Sequence, residues 1–244
     1  MSRLDIVIPA YNEAANIAQV VGQWYPVVTS CGDGSLIVLD DGSTDETARI
    51  LRALARSRPA LRVVEKDNEG HGATVLRGYR LALEDGADYV FQTDSDGQTD
   101  PDDFPAFWAR RESYDAVMGV RASREDGLSR VCVTNVLKAV VDAFFHVRVP
   151  DANVPFRLVR ADALADALEL VPEGYGLANV ALSVSLFKLG YSVEFLPIAF
   201  HARQGGENSI DIPRIVRIGA RACAEFARLN RSMDEKARAR RRES

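Results

Sequence analysis

Two carboxylates one residue apart, Asp94 and Asp96, stand directly after the apolar run Tyr89-Val90-Phe91, in the segment Thr93-Asp94-Ser95-Asp96-Gly97-Gln98. At the end of a buried strand such a pair is expensive to desolvate unless a cation neutralises it. Hard divalent cations prefer oxygen ligands, and Mg²⁺ is typically held by one or two carboxylates completed by substrate phosphates. Asp94 and Asp96 are therefore candidate ligands for Mg²⁺ or Mn²⁺ against a diphosphate, with Gln98 as a neutral third donor. The competing reading is an acidic turn that closes a strand, since Asp and Gly both favour turns. The pair alone does not choose between the two.

The elements that must position it alternate along the first half of the chain. Short β-branched runs at Asp5–Ile8, Leu36–Leu39, Leu61–Val64, Tyr89–Thr93 and Ala116–Gly119 read as strands. Amphipathic stretches near Glu13–Thr29, Thr44–Arg58, His71–Glu84 and Pro101–Arg111 read as helices between them. That alternation predicts an α/β fold with a mostly parallel central sheet and helices on both faces. Ligands of such sheets bind beyond the carboxyl ends of the strands. The polar clusters fall there: Pro9-Ala10-Tyr11-Asn12-Glu13 after the first strand, Asp40-Asp41-Gly42-Ser43 after the second, Asp94 to Gln98 after the fourth. No Gly-x-Gly-x-x-Gly follows the first strand and no Gly-Lys-Ser/Thr occurs, which argues against dinucleotide-dependent dehydrogenases and P-loop kinases. Gly70-His71-Gly72-Ala73 opens the third helix, either bringing backbone N–H groups to a ligand or simply easing the turn.

Beyond residue 120 the pattern loosens. Arg121–Arg130 and Gln204–Ser209 read as surface loops, Val131–Phe145 as a helix, and the segment from Asp151 to Val159 as leading into another strand. One domain over residues 1–230 is expected, followed by a basic, flexible tail over 231–244. No apolar run approaches the roughly 18–20 residues that span a bilayer. Three widely spaced cysteines, Cys31, Cys132 and Cys223, read as thiols of a reducing compartment, so a cytoplasmic location is expected. The net charge of −5 hides an asymmetry, because Arg214–Arg242 holds nine Arg and one Lys against Glu225, Asp234 and Glu235. The remaining body is strongly acidic, which argues against nucleic acid as a partner and for a local anionic contact at the C-terminus.

Seven ordered blocks then carry a resemblance. They are Ile-Pro-Ala-Tyr-Asn-Glu, Leu-Asp-Asp-Gly-Ser-Thr-Asp, Glu-Gly-His-Gly-Ala-Thr-Val-Leu-Arg-Gly, Thr-Asp-Ser-Asp-Gly-Gln, Gly-Val-Arg, Phe-Arg-Leu-Val-Arg and Arg-Gln-Gly-Gly-Glu-Asn-Ser. Together, from Leu4 to about Ile218, they resemble the family 2 glycosyltransferases, and within them the dolichyl-phosphate mannose synthase-like branch. The resemblance implies a single GT-A domain that binds a nucleoside diphosphate-sugar, UDP- or GDP-linked, and inverts the anomeric centre. It implies that Pro9, Tyr11, Glu13, Leu39 and Asp41 cradle the nucleoside, and that Asp94, Ser95, Asp96 and Gln98 bracket metal and diphosphate. It places Arg121 near the phosphates, Arg130 and Thr134 at an acceptor phosphate, and Arg203 on a loop that closes over the donor. Arg suits each of these places because its planar fork matches phosphate oxygens.

The acceptor decides whether a base is needed. A polyprenyl phosphate is already an anionic nucleophile near neutral pH, its second pKa being about 6 as in phosphoserine. A hydroxyl on a glycan or small scaffold needs a carboxylate within reach, and Asp151 is the candidate. His201 reads as a strand-end or donor-side residue. The lipid phosphate is the leading expectation and the hydroxyl the alternative. Three departures separate the chain from the branch: Val180 stands where an acidic residue is expected, Ser209 replaces a loop Lys, and the spacer between the acceptor-side arginines is short. No C-terminal pair of membrane spans follows, so lipid contact is expected to be peripheral, at the inner face of the membrane, through Arg238–Arg242. Two rivals are a nucleotidyltransferase, which calls for a glycine-rich basic loop where Pro-Ala-Tyr-Asn-Glu stands, and a non-catalytic nucleotide-binding subunit, against which Asp94, Asp96 and Arg203 argue.

Overall fold

Runs of β-branched and leucine residues become strands covered on both faces. All seven residues of β1 (Leu4–Ala10) and all six of β2 (Leu36–Asp41) are buried. The computed structural model describes residues 2–121, 138–201 and 225–239. Its other strands are β3 (Leu61–Lys66), β4 (Tyr89–Gln92), β5 (Ala116–Arg121), β6 (Arg157–Arg160) and β7 (Val193–Ile198). They form one seven-stranded sheet in the order β3-β2-β1-β4-β6-β5-β7. β3, β2, β1 and β4 run parallel, as do β5 and β7, while β6 is antiparallel to both of its neighbours. The mostly parallel sheet is therefore as expected, with one reversed strand, β6, inside it.

Helices cover both faces. α1 (Ile17–Ser30) and α4 (Phe104–Trp108) lie on one side, where Trp24, Phe91, Phe104, Phe107 and Phe156 form an edge-to-face cluster with centroids as close as 4.7 Å. Such geometry contributes about 0.5–1.5 kcal/mol per pair beyond area burial. α3 (His71–Glu84) lies on the other side. Gly78 lets it settle on β1 and β2, since a Cβ there would come within 2.3 Å of Val7 and 2.9 Å of Leu39. α2 (Thr47–Ala55) starts three residues later than its periodicity predicts, because Thr44 and Asp45 are used to tie neighbouring loops together.

The second half supplies α5 over 138–145, α6 (Ala161–Leu170), α7 (Ala178–Leu189) and α8 over 225–239. α8 corrects the expected boundary at residue 230. The helix continues through 239 with Met233 and Ala237 buried, Lys188 paired to Asp234, and the Lys236 ammonium on the Glu169 carbonyl. The apolar spacing of Phe226, Leu229, Met233 and Ala237 is the physical reason: it places one stripe on the body, with Phe226 packing edge-on to Phe145 at 5.3 Å. Residues 231–239 are thus part of the fold, and 240–244 lie outside the described residues. No helix among the described residues is long and apolar enough to cross a membrane.

Candidate active site

The carboxyl ends of β1, β2 and β4 open on one cleft of about 420 Å³, lined by Pro9, Ala10, Tyr11, Glu13, Asp41, Asn68, Gly70, His71, Thr74, Asp94, Ser95 and Asp96. The sequence builds its floor by pinning the loop after β1 to the loop after β2. The Asn12 amide N–H donates to Ser43 Oγ (2.9 Å), Glu13 N–H to Thr47 Oγ1 (2.9 Å) and Ala14 N–H to Asp45 (3.1 Å), while Asn12 Oδ1 accepts from Thr44 N–H (2.8 Å). Asn12 bends into the left-handed region (φ 55°), which a short polar side chain tolerates. The Ser-Thr-Asp of the second block is therefore scaffold. It holds Tyr11 and Glu13 at the cleft, Glu13 buried and bonded by the Asn16 amide (2.9 Å).

Asp41 anchors the next wall. Its carboxylate accepts from Glu69 N–H and Gly70 N–H (both 2.9 Å) and pairs with the buried Lys66 ammonium. Burial opposes ionisation of Asp41, but Lys66 and these donors outweigh it and hold the carboxyl below the usual range. Gly42 (φ 70°) makes room for this wall, since a Cβ there would lie 2.8 Å from Asn68 N. Removing the cation should leave a buried, uncompensated charge. Lys66→Met is expected to lose about 3–5 kcal/mol. A carboxylate depressed in the folded state stabilises above its unfolded pKa and loses that contribution as pH falls through its folded pKa. Without Lys66 the folded pKa rises, so acid unfolding followed by circular dichroism should begin at higher pH in the variant. An unchanged acid midpoint would remove Lys66 from this role.

The β4 end carries the chemistry-bearing pair. Asp94 and Ser95 lie beside His71, whose Nε2 is 3.1 Å from Asp94 Oδ1, and Asp96 Oδ1 accepts from Gln98 N–H (3.1 Å). Partial burial disfavours the imidazolium of His71, but the bond to Asp94 and the charges of Asp94, Asp41 and Asp96 prevail and raise its pKa. Four carboxylates and one histidine line the cleft, so an anionic diphosphate needs a cation to enter it. Among the described residues no group of three or more His, Cys, Asp or Glu side chains is arranged to hold a metal alone. Asp94 and Asp96 supply what Mg²⁺ or Mn²⁺ would require if ligand phosphates and water complete the shell.

Two expected cleft residues are placed elsewhere. Leu39 is fully buried with its side chain against α3 at Gly78 and does not line the cleft. Gln98 is buried and braces the segment after β7. Its amide donates to the His201 carbonyl (2.7 Å), His201 N–H donates to the Gln98 carbonyl (2.8 Å), and Thr99 bridges Phe200. Its amide nitrogen is used in that brace, and Gln98 is not among the residues lining the cleft.

Arg121 and Asp151 meet at the other end of the sheet edge. Arg121 forms a bidentate pair with Asp151 (2.7 and 2.8 Å) and lies 5.1 Å over the Phe200 ring. Asp151 is buried. The turn that presents it is held by Arg157, a fully buried guanidinium that donates to the carbonyls of Ala152, Val154 and Asn179. Arg130, Thr134 and Arg203 lie outside the described residues.

The sequence profile described as "Glycosyl transferase family 2" matches residues 5–145, more than half of the chain. The chain belongs to glycosyl transferase family 2. A curated relative, the undecaprenyl-phosphate mannosyltransferase of Micrococcus luteus, is 26% identical over 218 residues, 85% of this chain and 87% of that protein. The undecaprenyl-phosphate 4-deoxy-4-formamido-L-arabinose transferase of Shewanella sediminis is 27% identical over 68% of this chain, which spans only 50% of its length. Among solved structures, glucosyl-3-phosphoglycerate synthase of Mycobacterium tuberculosis, in complex with Mn²⁺, UDP and phosphoglyceric acid, superposes with a TM-score of 0.69 at 20% identity, covering 97% of this chain and 78% of that one. This family 2 member accordingly has the GT-A fold. His71 and Asn68 are cleft residues that sequence reasoning did not single out, and Lys66 supports them through its pair with Asp41; for His71 the signal was its place between Gly70 and Gly72 after a strand. Gly72 itself serves packing, since a Cβ there would lie 2.3 Å from the Tyr175 carbonyl.

Proposed function

We propose that the chain is a metal-dependent, inverting glycosyltransferase that moves a sugar from a nucleoside diphosphate-sugar to a polyprenyl phosphate. In this reading the nucleoside lies along Pro9, Tyr11, Glu13 and Asp41, and the diphosphate lies at Asp94, Ser95 and Asp96. A divalent ion, Mg²⁺ or Mn²⁺, held by Asp94 and Asp96 would supply Lewis-acid stabilisation of the leaving diphosphate. The acceptor phosphate oxygen forms a bond to the anomeric carbon as the bond from that carbon to the nucleoside diphosphate oxygen breaks. Approach from opposite the leaving group inverts the centre.

The observation that carries the acceptor is the state of Asp151. Both of its oxygens are engaged by Arg121, so it is not poised to take a proton from a hydroxyl. An anionic phosphate needs no such base: Arg130 is assigned to give it positive charge and Thr134 a hydroxyl donor, both outside the described residues, while Arg121 stays with the donor phosphates. The relatives' names, which specify undecaprenyl phosphate, point the same way. Arg203 is assigned to cover the donor. The exposed Arg228, Arg231 and Arg238 of α8 give a basic outer face for peripheral contact with an anionic membrane.

The test is nucleoside diphosphate release from UDP- and GDP-sugars with Mg²⁺ or Mn²⁺, with and without a short-chain polyprenyl phosphate. Release that requires the ion and rises at least about tenfold with the lipid phosphate is expected. Asp151→Asn should then raise KM for the acceptor and leave the acidic-side pH profile of kcat unchanged. Release indifferent to lipid phosphate, with a pH limb lost in that variant, would move the acceptor to a hydroxyl and make Asp151 its base.

A further inference from the structure

We infer that Arg157 is a positioning residue for the transfer: a buried, permanent positive charge that stands between the donor and acceptor ends of the site and offsets the carboxylates of both. This rests on the reading of Asp94 and Asp96 as metal ligands and adds a group that the proposed reaction does not otherwise use. β6 lies between β4 and β5 in the sheet and runs antiparallel to both. Its first residue, Arg157, therefore stands at the end where β4 and β5 finish, opposite Gln92 of β4 and Met118 of β5. Asp94 comes shortly after Gln92, and Arg121, which holds Asp151, comes shortly after Met118.

The guanidinium is 1% exposed and bonds only neutral oxygens: the carbonyls of Ala152, Val154 and Asn179, and Ser183 Oγ (3.3 Å). Lys66 and Arg121 are matched differently, Lys66 by Asp41 and Glu69, and Arg121 by Asp151. Across the strand pair Gln92 offers no carboxylate either. Its Oε1 accepts from the Tyr79 hydroxyl (2.6 Å), which burial keeps protonated. The carboxylates whose charges act on Arg157 are Asp151 and Asp94, one toward each end of the site.

A neutral donor could satisfy carbonyls, and burying a guanidinium without a carboxylate partner is costly. The charge has a use in what the site must bring together. Four carboxylates line the cleft, and the reaction drives an anionic phosphate against an anionic diphosphate. A guanidinium stays protonated when buried, and away from water its field is weakly screened. Placed on the α7 side of the sheet, it lowers the repulsion between the two anions without filling the space that either needs. The same field opposes a bare metal ion at Asp94. That sign separates charge from scaffolding: losing a prop loosens the metal site, whereas losing the charge tightens it.

The experiment titrates Mn²⁺ into the nucleotide-free protein, followed by the EPR signal of the free ion, for the wild type, Arg157→Gln, Arg157→Lys and Ser183→Ala. A thermal melt checks that each variant folds, and Arg157→Met replaces the Gln variant if that one does not. Ser183 Oγ donates to the Ala152 or Asn179 carbonyl (3.0 and 2.8 Å), so Ser183→Ala loosens the same turn and keeps the charge. Arg157→Gln should bind Mn²⁺ on the order of tenfold more tightly than the wild type, while its KM for a short-chain polyprenyl phosphate rises by a similar factor. Arg157→Lys should return both toward the wild type. Ser183→Ala should lower Tm and leave both unchanged. Mn²⁺ affinity that is equal or weaker in the folded neutral variant overturns the role of the charge and leaves the metal site standing. Absence of Mn²⁺ binding by the folded wild type would remove the metal-site reading, and this inference with it.

Discussion

Asp96→Ala is expected to lower turnover by at least about 10³-fold while the protein stays folded. The side chain stands at the β4 end of the cleft, where it accepts from the Gln98 backbone N–H at 3.1 Å and its charge acts on His71. Losing that bond removes about 0.5–1.5 kcal/mol of stability, a shift of only a few degrees in Tm for a chain of this size. The catalytic loss is larger for an electrostatic reason. Charge builds on the departing diphosphate, and groups preorganised to offset it act with most effect in the transition state. A 10³-fold loss corresponds to about 4 kcal/mol of transition-state stabilisation. The measurement is nucleoside diphosphate release alongside a thermal melt. Full activity in a folded Asp96→Ala protein would overturn the assignment of this carboxylate to the metal and diphosphate.

Arg157→Met is expected to lower stability and activity together. Two terms compete. Burying a guanidinium without a carboxylate against it is costly, and burial accordingly pulls its pKa down, so removing the charge recovers some free energy. Against this, the side chain satisfies the carbonyls of Ala152, Val154 and Asn179, and each buried acceptor left unpaired costs about 1–3 kcal/mol. Ser183 Oγ donates to the Ala152 or Asn179 carbonyl and offsets part of that cost. The balance is a net loss of about 2–4 kcal/mol, or roughly 10 °C in Tm. Activity should fall as well, because the turn released by this change presents Asp151 to Arg121. A Tm within 2 °C of wild type, on the order of 0.5–1 kcal/mol, would mean that the turn is held by something other than Arg157.

The parallel half of the sheet was legible because each strand is a short run with a strong apolar pattern, closed by residues that cannot continue it. Tyr89-Val90-Phe91 followed by Thr93-Asp94 is such a run, and all four residues of β4 are buried. β7 gave no comparable signal: Val193–Ile198 is an edge strand, partly covered, with Glu194 and Pro197 inside it. The tail boundary failed because charge dominates residues 231–239, while the apolar spacing of Met233 and Ala237 decides their placement. At the site, Asp94, Asp96, Tyr11 and Glu13 were readable because they sit at strand ends, where sequence order and position coincide. Asn68 and His71 reach the cleft through a loop and a helix start, and that geometry follows from Asp41, distant in sequence from the residues it aims. Leu39 shows the converse. Its neighbour Asp41 faces the cleft, and strand alternation cannot by itself place the side chain between β2 and α3.

The reversed strand inside the sheet sets an order on synthesis. β4 and β5 are not neighbours; both pair with β6, which begins at Arg157, 36 residues after β5 ends at Arg121. As the chain leaves the ribosome, the β3-β2-β1-β4 half can assemble first, while β5 waits with neither of its partners made. At about 5–20 residues per second that interval lasts on the order of seconds. During it, β4 presents an open apolar edge and Ala116-Val117-Met118 an unpaired strand, the two surfaces most prone to pairing with another nascent chain. Growth rate and temperature should therefore govern how much of this protein is recovered in folded form, through the time taken to reach β6.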